Sequence, residues 1–413
     1  MIRVPLARLT RAQLWWSSKL LPVAGLGALG ALTAQVEPGR GLVLLVATLV
    51  SAIGLAGASH LVNDWSDVAA DAAAGRPNVL EPVSTGGRFA LVALTTALGG
   101  APWFVVGIDL LPAAVLVALA VLTVAYSAPP LRLKGRGLAG VLADAANAHV
   151  LPAAFVLLLM GEAGVQTGWW SLATTAALIW ASGFGVRSIV VHQRIDRDAD
   201  RAAGVSTFVA THRDRAVRDV GLAAFRVELV GLVGLGIVLA GTAPLVVALL
   251  AAYLALWVGH RRFGATPLDP LPRHPDGWMP LAEFYEVWPA LLLALQLCLV
   301  DLGWWPLPVA LVILFAGAVA KQASDLGVML GALGRDVARS FEAHVARPTR
   351  AALLRFRGWW FDGWPSRSWY HGGMARVRYW PGQAARRQGR RFRRIVLRRA
   401  PSAPARGGRR DDP

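Results

Sequence analysis

Two short stretches carry oxygen-bearing side chains at a spacing suited to holding a cation. The first is Asn63-Asp64-Trp65-Ser66-Asp67-Val68-Ala69-Ala70-Asp71, in which Asn63, Asp67 and Asp71 recur at i, i+4 and i+8. On a helix these three fall along one face. The second is Asp196-Arg197-Asp198-Ala199-Asp200-Arg201, followed by Gly204 and Ser206-Thr207. Asp196 and Asp200 repeat the i, i+4 spacing. Like charges repel, so carboxylates gathered in rows call for a counterion. A ligand set made only of oxygen favours Mg²⁺, which keeps an octahedral shell and shares it with substrate phosphates. Arg76, Arg132, Lys134 and Arg201 lie near these stretches and supply positive charge for an anion. A Mg²⁺-bound diphosphate would satisfy both sets of charges.

The elements that must position these residues are apolar. The chain has 413 residues, 55% hydrophobic and 16% charged, with mean hydropathy +0.48. A soluble domain carries about 25% charged residues, so a soluble enzyme and a disordered chain are both excluded. About 20 mainly apolar residues cross a bilayer as a helix. Windows of that size predict spans near 15–36, 41–62, 88–107, 110–127, 137–160, 168–191, 219–241, 243–259, 279–301 and 303–320. The expected fold is all-α, a polytopic transmembrane helical bundle of nine or ten spans with a basic C-terminal tail. Both acidic motifs fall in connectors on one side of the membrane, after the second and sixth spans. A diphosphate carrying a lipid tail would explain a charged site in such a setting.

Net charge is +17, and residues 321–413 hold 21 Lys and Arg against 6 Asp and Glu, which places +15 of it there. With the N-terminus inside, the inner connectors collect Arg76, Arg88, Arg132, Lys134, Arg136, Arg194, Arg197 and Arg201. Outer loops carry little beyond Glu37, Arg40, Asp109, Glu162 and Asp301. Basic inner loops set the orientation. Both motifs and the tail are thus expected on the cytoplasmic side of the plasma membrane. Trp103, Trp169–Trp170 and Trp304–Trp305 fall at outer span ends, where an indole suits the headgroup region. The chain divides into a basic N-terminal segment, 1–14, a membrane domain, 15–320, and the tail, 321–413. No cleavable signal peptide is evident, and the single Cys298 forms no intrachain disulfide. The tail combines Trp359-Trp360, Trp364, Trp369 and Trp380 with the basic pairs Arg386-Arg387, Arg390-Arg391 and Arg393-Arg394. That pattern fits anionic lipid headgroups rather than nucleic acid. The Pro-, Gly- and Arg-rich end reads as disordered.

Asn63–Asp71 resembles the first aspartate motif of the UbiA superfamily of intramembrane prenyltransferases. Arg76-Pro77, then Pro82-Val83-Ser84-Thr85-Gly86, is similar to the family's following loop. Tyr126-Ser127-Ala128-Pro129-Pro130-Leu131-Arg132-Leu133-Lys134 resembles its segment between spans four and five. Asp196–Asp200 with Gly204 and Ser206-Thr207 looks like its second aspartate motif. The three motifs occur in the family's order, and the resemblance covers about residues 10–300. A tenth span and the basic tail go beyond the family's pattern of about nine helices.

The resemblance implies that Asn63, Asp67 and Asp71 hold one Mg²⁺, with Asp196 and Asp200 holding another. Asp64 and Asp198 match flanking acidic positions. Arg76, Lys134, Arg132 and Arg201 would contact diphosphate oxygens, Arg in bidentate fashion and Lys as a point charge. Tyr126 would line the cavity near the cleaved bond. The implied reaction transfers a prenyl group from a prenyl diphosphate to a lipophilic acceptor, an aromatic one being favoured, through an allylic carbocation. The alternative is a terpene cyclase of the same type, in which the chain's own double bond captures the cation. A phosphoribosyl-transferring relative and a non-catalytic lipid-binding protein are further readings; the clear second motif disfavours the first, and the five intact metal-ligand positions disfavour the second. His60, Asp144, Arg187 and Glu286 also lie in or near apolar spans, where charge is costly and faces a cavity or a partner. His60 would orient Asp64 or approach the acceptor, Asp144 would pair with Arg187, and Glu286 is a candidate acceptor-side or proton-handling residue.

Overall fold

Helix length and end signals account for the architecture. The structure, a computed structural model, describes residues 6–361 apart from 74, 203, 264–268 and 274–278. The main helices are α1 (Ala12–Thr33), α2 (Pro38–Ala73), α3 (Thr85–Val106) and α4 (Leu110–Ser127). Then come α5 (Leu138–Ala163), which contains a π turn at Ala146–Val150, and α6 (Trp170–Ile195). A short α7 (Arg197–Ala202) precedes α8 (Asp214–Thr242), α9 (Pro244–Phe263) and α10 (Trp288–Val300). Two further helices, α11 (Pro306–Leu314) and α12 (Ala316–Phe341), complete a unit spanning residues 1–341. A second unit begins at residue 342 and contains α13 (Arg347–Phe361). There Glu342 accepts a hydrogen bond from Arg350 at 3.4 Å. The clusters from Trp364 to Arg394 lie outside the described residues.

Six helices, α2 to α6 and α8, are long and apolar enough to cross a membrane, and a seventh results if the bent pair Leu302–Leu314 and Ala316–Arg355 counts as one span. A helix lies within each of the ten apolar segments read from the sequence. Of the other four, α1 is 22 residues long but carries Ser17-Ser18-Lys19, the helices at 244–260 and 288–300 are short, and the last is the bent pair. No strand forms among the described residues; an isolated bridge joins Gly137 to Thr207.

α2 differs from its expected form. Its apolar window ends near residue 62, yet the helix runs 36 residues. That is about 54 Å at a rise of about 1.5 Å per residue, against a hydrocarbon core of about 30 Å. The first acidic motif is therefore the projecting end of a helix, not a connecting loop. Gly75, at φ +64°, ends it, a left-handed conformation that favours glycine.

The helices pack through small residues, as membrane helices do. A Cβ placed on Gly54 of α2 would lie 2.4 Å from the Gly99 nitrogen of α3. A Cβ on Gly183 of α6 would lie 2.3 Å from the Glu228 nitrogen of α8. Outward faces stay apolar and uncovered: Phe104 is 94% exposed and Leu110 87%, a surface suited to lipid. Two of the tryptophans expected at the interface are instead core residues. Trp103 is buried, donates to Ser51 Oγ at 3.1 Å and meets Phe155 edge-on. Trp304 is buried over Gly41. Trp169 and Trp305 do stay exposed.

The expected pairing of Asp144 with Arg187 is not what forms. Arg187 binds Glu228 through two bonds, at 2.6 and 2.9 Å, with both side chains fully buried. It also donates to the Pro280 and Pro270 carbonyls and lies over the Phe225 ring. Every guanidinium edge is thus used, which is what a buried charge requires. Glu228→Ala leaves that charge without a counterion and is expected to cost about 3–5 kcal/mol. The double change Arg187→Met, Glu228→Leu should recover most of it. Thermal unfolding of the detergent-solubilised protein reads both.

Candidate active site

The end of α2 presents Asn63, Asp67 and Asp71 along one side. The loop after α4 returns beneath them and delivers two cations. Lys134 Nζ lies 2.8 Å from Asn63 Oδ1 and 2.6 Å from Asp67 Oδ2. Arg132 donates to Asp67 Oδ1 at 2.9 Å. Ser127, at the C-terminus of α4, donates to Asn63 Oδ1 at 3.2 Å. Burial holds the Lys134 ammonium below the usual lysine value, and the Asp67 carboxylate pulls it back up. Asp67 thus has two cationic partners.

Asp71 has different neighbours. Asn78 donates through Nδ2 to Asp71 Oδ2 at 2.8 Å and to the Asp64 carbonyl at 2.9 Å, while its own Oδ1 accepts from Leu80 N. Asn78 is buried. Arg76 stands 3.9 Å from Asp71 Oδ1. No periodicity or charge signal marked Asn78, because its partners lie seven and fourteen residues back along the chain. It positions Asp71. Asn78→Ala is expected to lower kcat/KM about ten-fold, the usual cost of a lost supporting hydrogen bond at such a site, with Asn78→Asp recovering little.

Asp64 faces elsewhere. It is buried and paired with Arg11 at 2.7 and 2.9 Å, which fastens the start of α1 to α2. His60, one turn earlier, stacks on Trp15 with ring centroids 6.3 Å apart. The charge on Asp64 is thus answered by Arg11 and not by His60.

The second motif is a broken helix. Asp196 ends α6, with its carboxylate 3.4 Å from His192 Nε2. Asp200 lies on α7 and accepts from Thr207 Oγ1 at 3.0 Å. The same Thr207 oxygen accepts from Ala210 N and caps the turn Phe208–Thr211. Gly204, at φ +68°, permits the reversal between them. Burial raises the Asp200 carboxyl above its ordinary value and Asp196 adds to this, while Thr207, His192 and Arg76 oppose it. Arg201 donates to the Ala210 carbonyl at 3.0 Å, and Arg197 is held by Asp214 and the His212 carbonyl. Both arginines brace the turn. Asp198 is exposed.

The two motifs share one end of the bundle. The Gly137–Thr207 bridge ties the loop bearing Lys134 to the loop that holds Asp200. Arg76, beside Asp71, acts on the charge of Asp200. Tyr126, on the last turn of α4, lies within electrostatic reach of Asp67, Asp144 and Asp200. Among the described residues no three acidic, histidine or cysteine side chains converge as a ready-made metal cage. Asn63 and Asp67 do converge on the Lys134 ammonium, so a cation already sits between them. Such half-built oxygen shells fit Mg²⁺, whose remaining positions are filled by water and substrate phosphate.

A comparison with the curated proteins yields no match. Among solved structures, a UbiA homolog from Archaeoglobus fulgidus, bound to GPP and Mg²⁺, is 18% identical, with a TM-score of 0.51 over 72% of this chain and 99% of its own. The DMAPP- and Mg²⁺-bound form of an Archaeoglobus fulgidus UbiA homolog has a TM-score of 0.48 at 18% identity over 72% and 99%. A structure of digeranylgeranylglyceryl phosphate synthase has 0.39 at 16% identity over 74% and 98%. The first of these shares the fold. The UbiA prenyltransferase family model matches residues 20–270, a stretch longer than half of the chain that contains both acid rows and the loops between them, and the chain belongs to that family.

Proposed function

We propose that this protein is a Mg²⁺-dependent prenyltransferase that moves a prenyl group from its diphosphate to a lipophilic acceptor. One observation carries the reading: two rows of oxygen ligands, on separate helices, stand at one end of an apolar bundle, with Lys134 on the first row and Arg76 within reach of both. The A. fulgidus homolog bound to GPP and Mg²⁺ supports the same substrate class. Asn63, Asp67 and Asp71 would hold one metal, and Asp196 and Asp200 the other. When bound, Mg²⁺ neutralises charge that develops on the departing diphosphate. Arg76, Arg132 and Lys134 bind the remaining phosphate oxygens. Arg201, which braces the α7 turn, completes that rim. Tyr126 faces the carbon end, where an aromatic ring favours developing positive charge by about 0.5–2 kcal/mol.

The site and the tail lie on the cytoplasmic side of the plasma membrane in this reading, with nine or ten spans and residues 321–413 resting on anionic headgroups. Cyclisation without an acceptor is the alternative outcome. The test is incubation of purified protein with dimethylallyl, geranyl, farnesyl and geranylgeranyl diphosphates and Mg²⁺, with and without lipophilic phenols. Diphosphate release that EDTA stops, with a product whose mass is that of the acceptor plus the prenyl group less one hydrogen, is the expected result. A cyclic hydrocarbon or alcohol without acceptor would assign the cyclase, and no diphosphate release from any chain length would overturn the reading.

A further inference from the structure

The second acid row carries its own positive charge. Arg194 precedes Asp196 by two residues, Arg197 follows it directly, and Arg201 follows Asp200. Arg197 and Asp200 stand at i, i+3 on α7, a spacing at which opposite charges on a helix pair. Such a pair would compete with any cation for the Asp200 carboxylate. It does not form. Arg197 turns instead to the carboxylate of Asp214, the first residue of α8, and to the His212 carbonyl at 2.9 Å. Arg194 turns to the Leu271 carbonyl, and Arg201 to the Ala210 carbonyl. Among the described residues no Lys or Arg lies within 4.0 Å of either Asp196 or Asp200, and Asp196 meets His192.

The Arg197 side chain is 20% exposed, and its Nε is buried without a hydrogen bond. The guanidinium is thus held by the Asp214 charge and one carbonyl rather than by a complete set of acceptors. Asp214 is itself fixed from two sides. It opens α8, where the helix dipole favours an acid, and its second oxygen accepts from Arg273 at 3.1 Å. Arg273 ends the segment 269–273, which is pinned to α6 and α8. Leu271 is buried against Gly221, where a Cβ would stand 2.6 Å from the leucine methyl. Asp269 accepts from Leu271 N at 3.0 Å, and Arg187 donates to the Pro270 carbonyl at 3.2 Å.

We propose that Asp214 is a positioning residue: it draws Arg197 off the second acid row and so keeps the Asp200 carboxylate open to a divalent cation. The inference rests on the metal-binding role proposed for that row. Asp214 is 53% exposed and Arg273 67%, and exposed ion pairs add little to stability. The effect of Asp214 therefore lies in which carboxylate the arginine neutralises, not in holding the fold together. Without Asp214, the guanidinium keeps its place on α7, where Asp200 is the acid one turn on. Arginine and cation then share one carboxylate, and the cation binds more weakly. Removing the arginine as well takes the competitor away, so the two changes together should restore what the first one lost.

The test is a double-mutant cycle on the full chain in detergent, with Mn²⁺ as the probe and free Mn²⁺ read by electron paramagnetic resonance. Each titration is run with Mn²⁺ alone and again with geranyl S-thiolodiphosphate. Asp214→Asn is expected to weaken one Mn²⁺ about ten-fold. Arg197→Gln alone should bind as tightly as wild type or more so. The double variant Asp214→Asn, Arg197→Gln should return to within two-fold of Arg197→Gln, a recovery that a merely structural role for Asp214 would not give. Asp214→Glu, which keeps the ion pair, should stay within two-fold of wild type. Unchanged Mn²⁺ affinity in Asp214→Asn, a weakening that persists in the double variant, or no Mn²⁺ bound by wild type in either condition would overturn the proposal. If the variants shift Mn²⁺ as expected but the thiolodiphosphate does not bind, the prenyl diphosphate reading falls and the role of Asp214 stands.

Discussion

Asp67→Ala is expected to lower kcat/KM for the prenyl diphosphate by about a thousand-fold or more, a loss of about 4 kcal/mol at the transition state. Asp67 is the residue on which the first acid row turns: it faces Lys134 and Arg132 and shares the Lys134 ammonium with Asn63. Removing it takes away a metal ligand and leaves two cations facing the phosphates without their counter-charge. Asp200→Ala, on the other row, should do the same. Neither change opens the core, since Asp67 is 22% exposed and its partners reach solvent. The thermal midpoint should therefore hold within a few degrees. Two neighbouring acids separate the mechanism from a general charge effect. Asp198→Ala, at an exposed position of α7, should leave activity within two-fold. Asp64→Ala should reduce stability by removing the partner of Arg11. Wild-type turnover in both Asp67→Ala and Asp200→Ala would end the two-row mechanism.

The contrast between Asp64 and Asp67 shows what sequence reading reaches. Spacing alone placed Asn63, Asp67 and Asp71 together, because i, i+4 neighbours on a helix are set by local geometry. The helix itself was harder to delimit. Its polar end gives no hydropathy signal, so the motif reads as a loop although it is the tip of α2. Partners distant along the chain were beyond reach. Arg187 finds Glu228 41 residues away and not Asp144, because α6 and α8 touch through Gly183 and Gly231. Asn78 and Arg11 are ordinary polar residues until the fold brings them to Asp71 and Asp64. Trp103 and Trp304 were placed by composition at the interface, yet each fills a space left by small residues inside. Arg201, read as a phosphate contact, also donates through Nε to the Ala210 carbonyl, a bond across nine residues that spacing does not announce.

Lys134 should divide substrate binding from metal binding. Its ammonium occupies the space between Asn63 and Asp67 that a cation would share, and only 16% of the side chain is exposed. Metal and lysine therefore compete for the same two oxygens. With a metal–diphosphate bound, Lys134 would exchange Asp67 for phosphate oxygens. Lys134→Met removes the competitor along with the phosphate contact. Mg²⁺ alone should then bind several-fold more tightly, while turnover falls about a hundred-fold, the usual loss when one preorganised positive group is removed from a developing anion. Lys134→Arg should restore little, because a planar fork does not replace a point charge in a site already flanked by Arg132. Calorimetric Mg²⁺ titration without substrate, paired with steady-state kinetics, separates the two effects. A simple ion-pair role would move neither Mg²⁺ affinity nor turnover, and that outcome would remove Lys134 from the site. A fall in both would assign it instead to holding the α2 tip in place, where the loss of order at Asn63 and Asp67 weakens every ligand together.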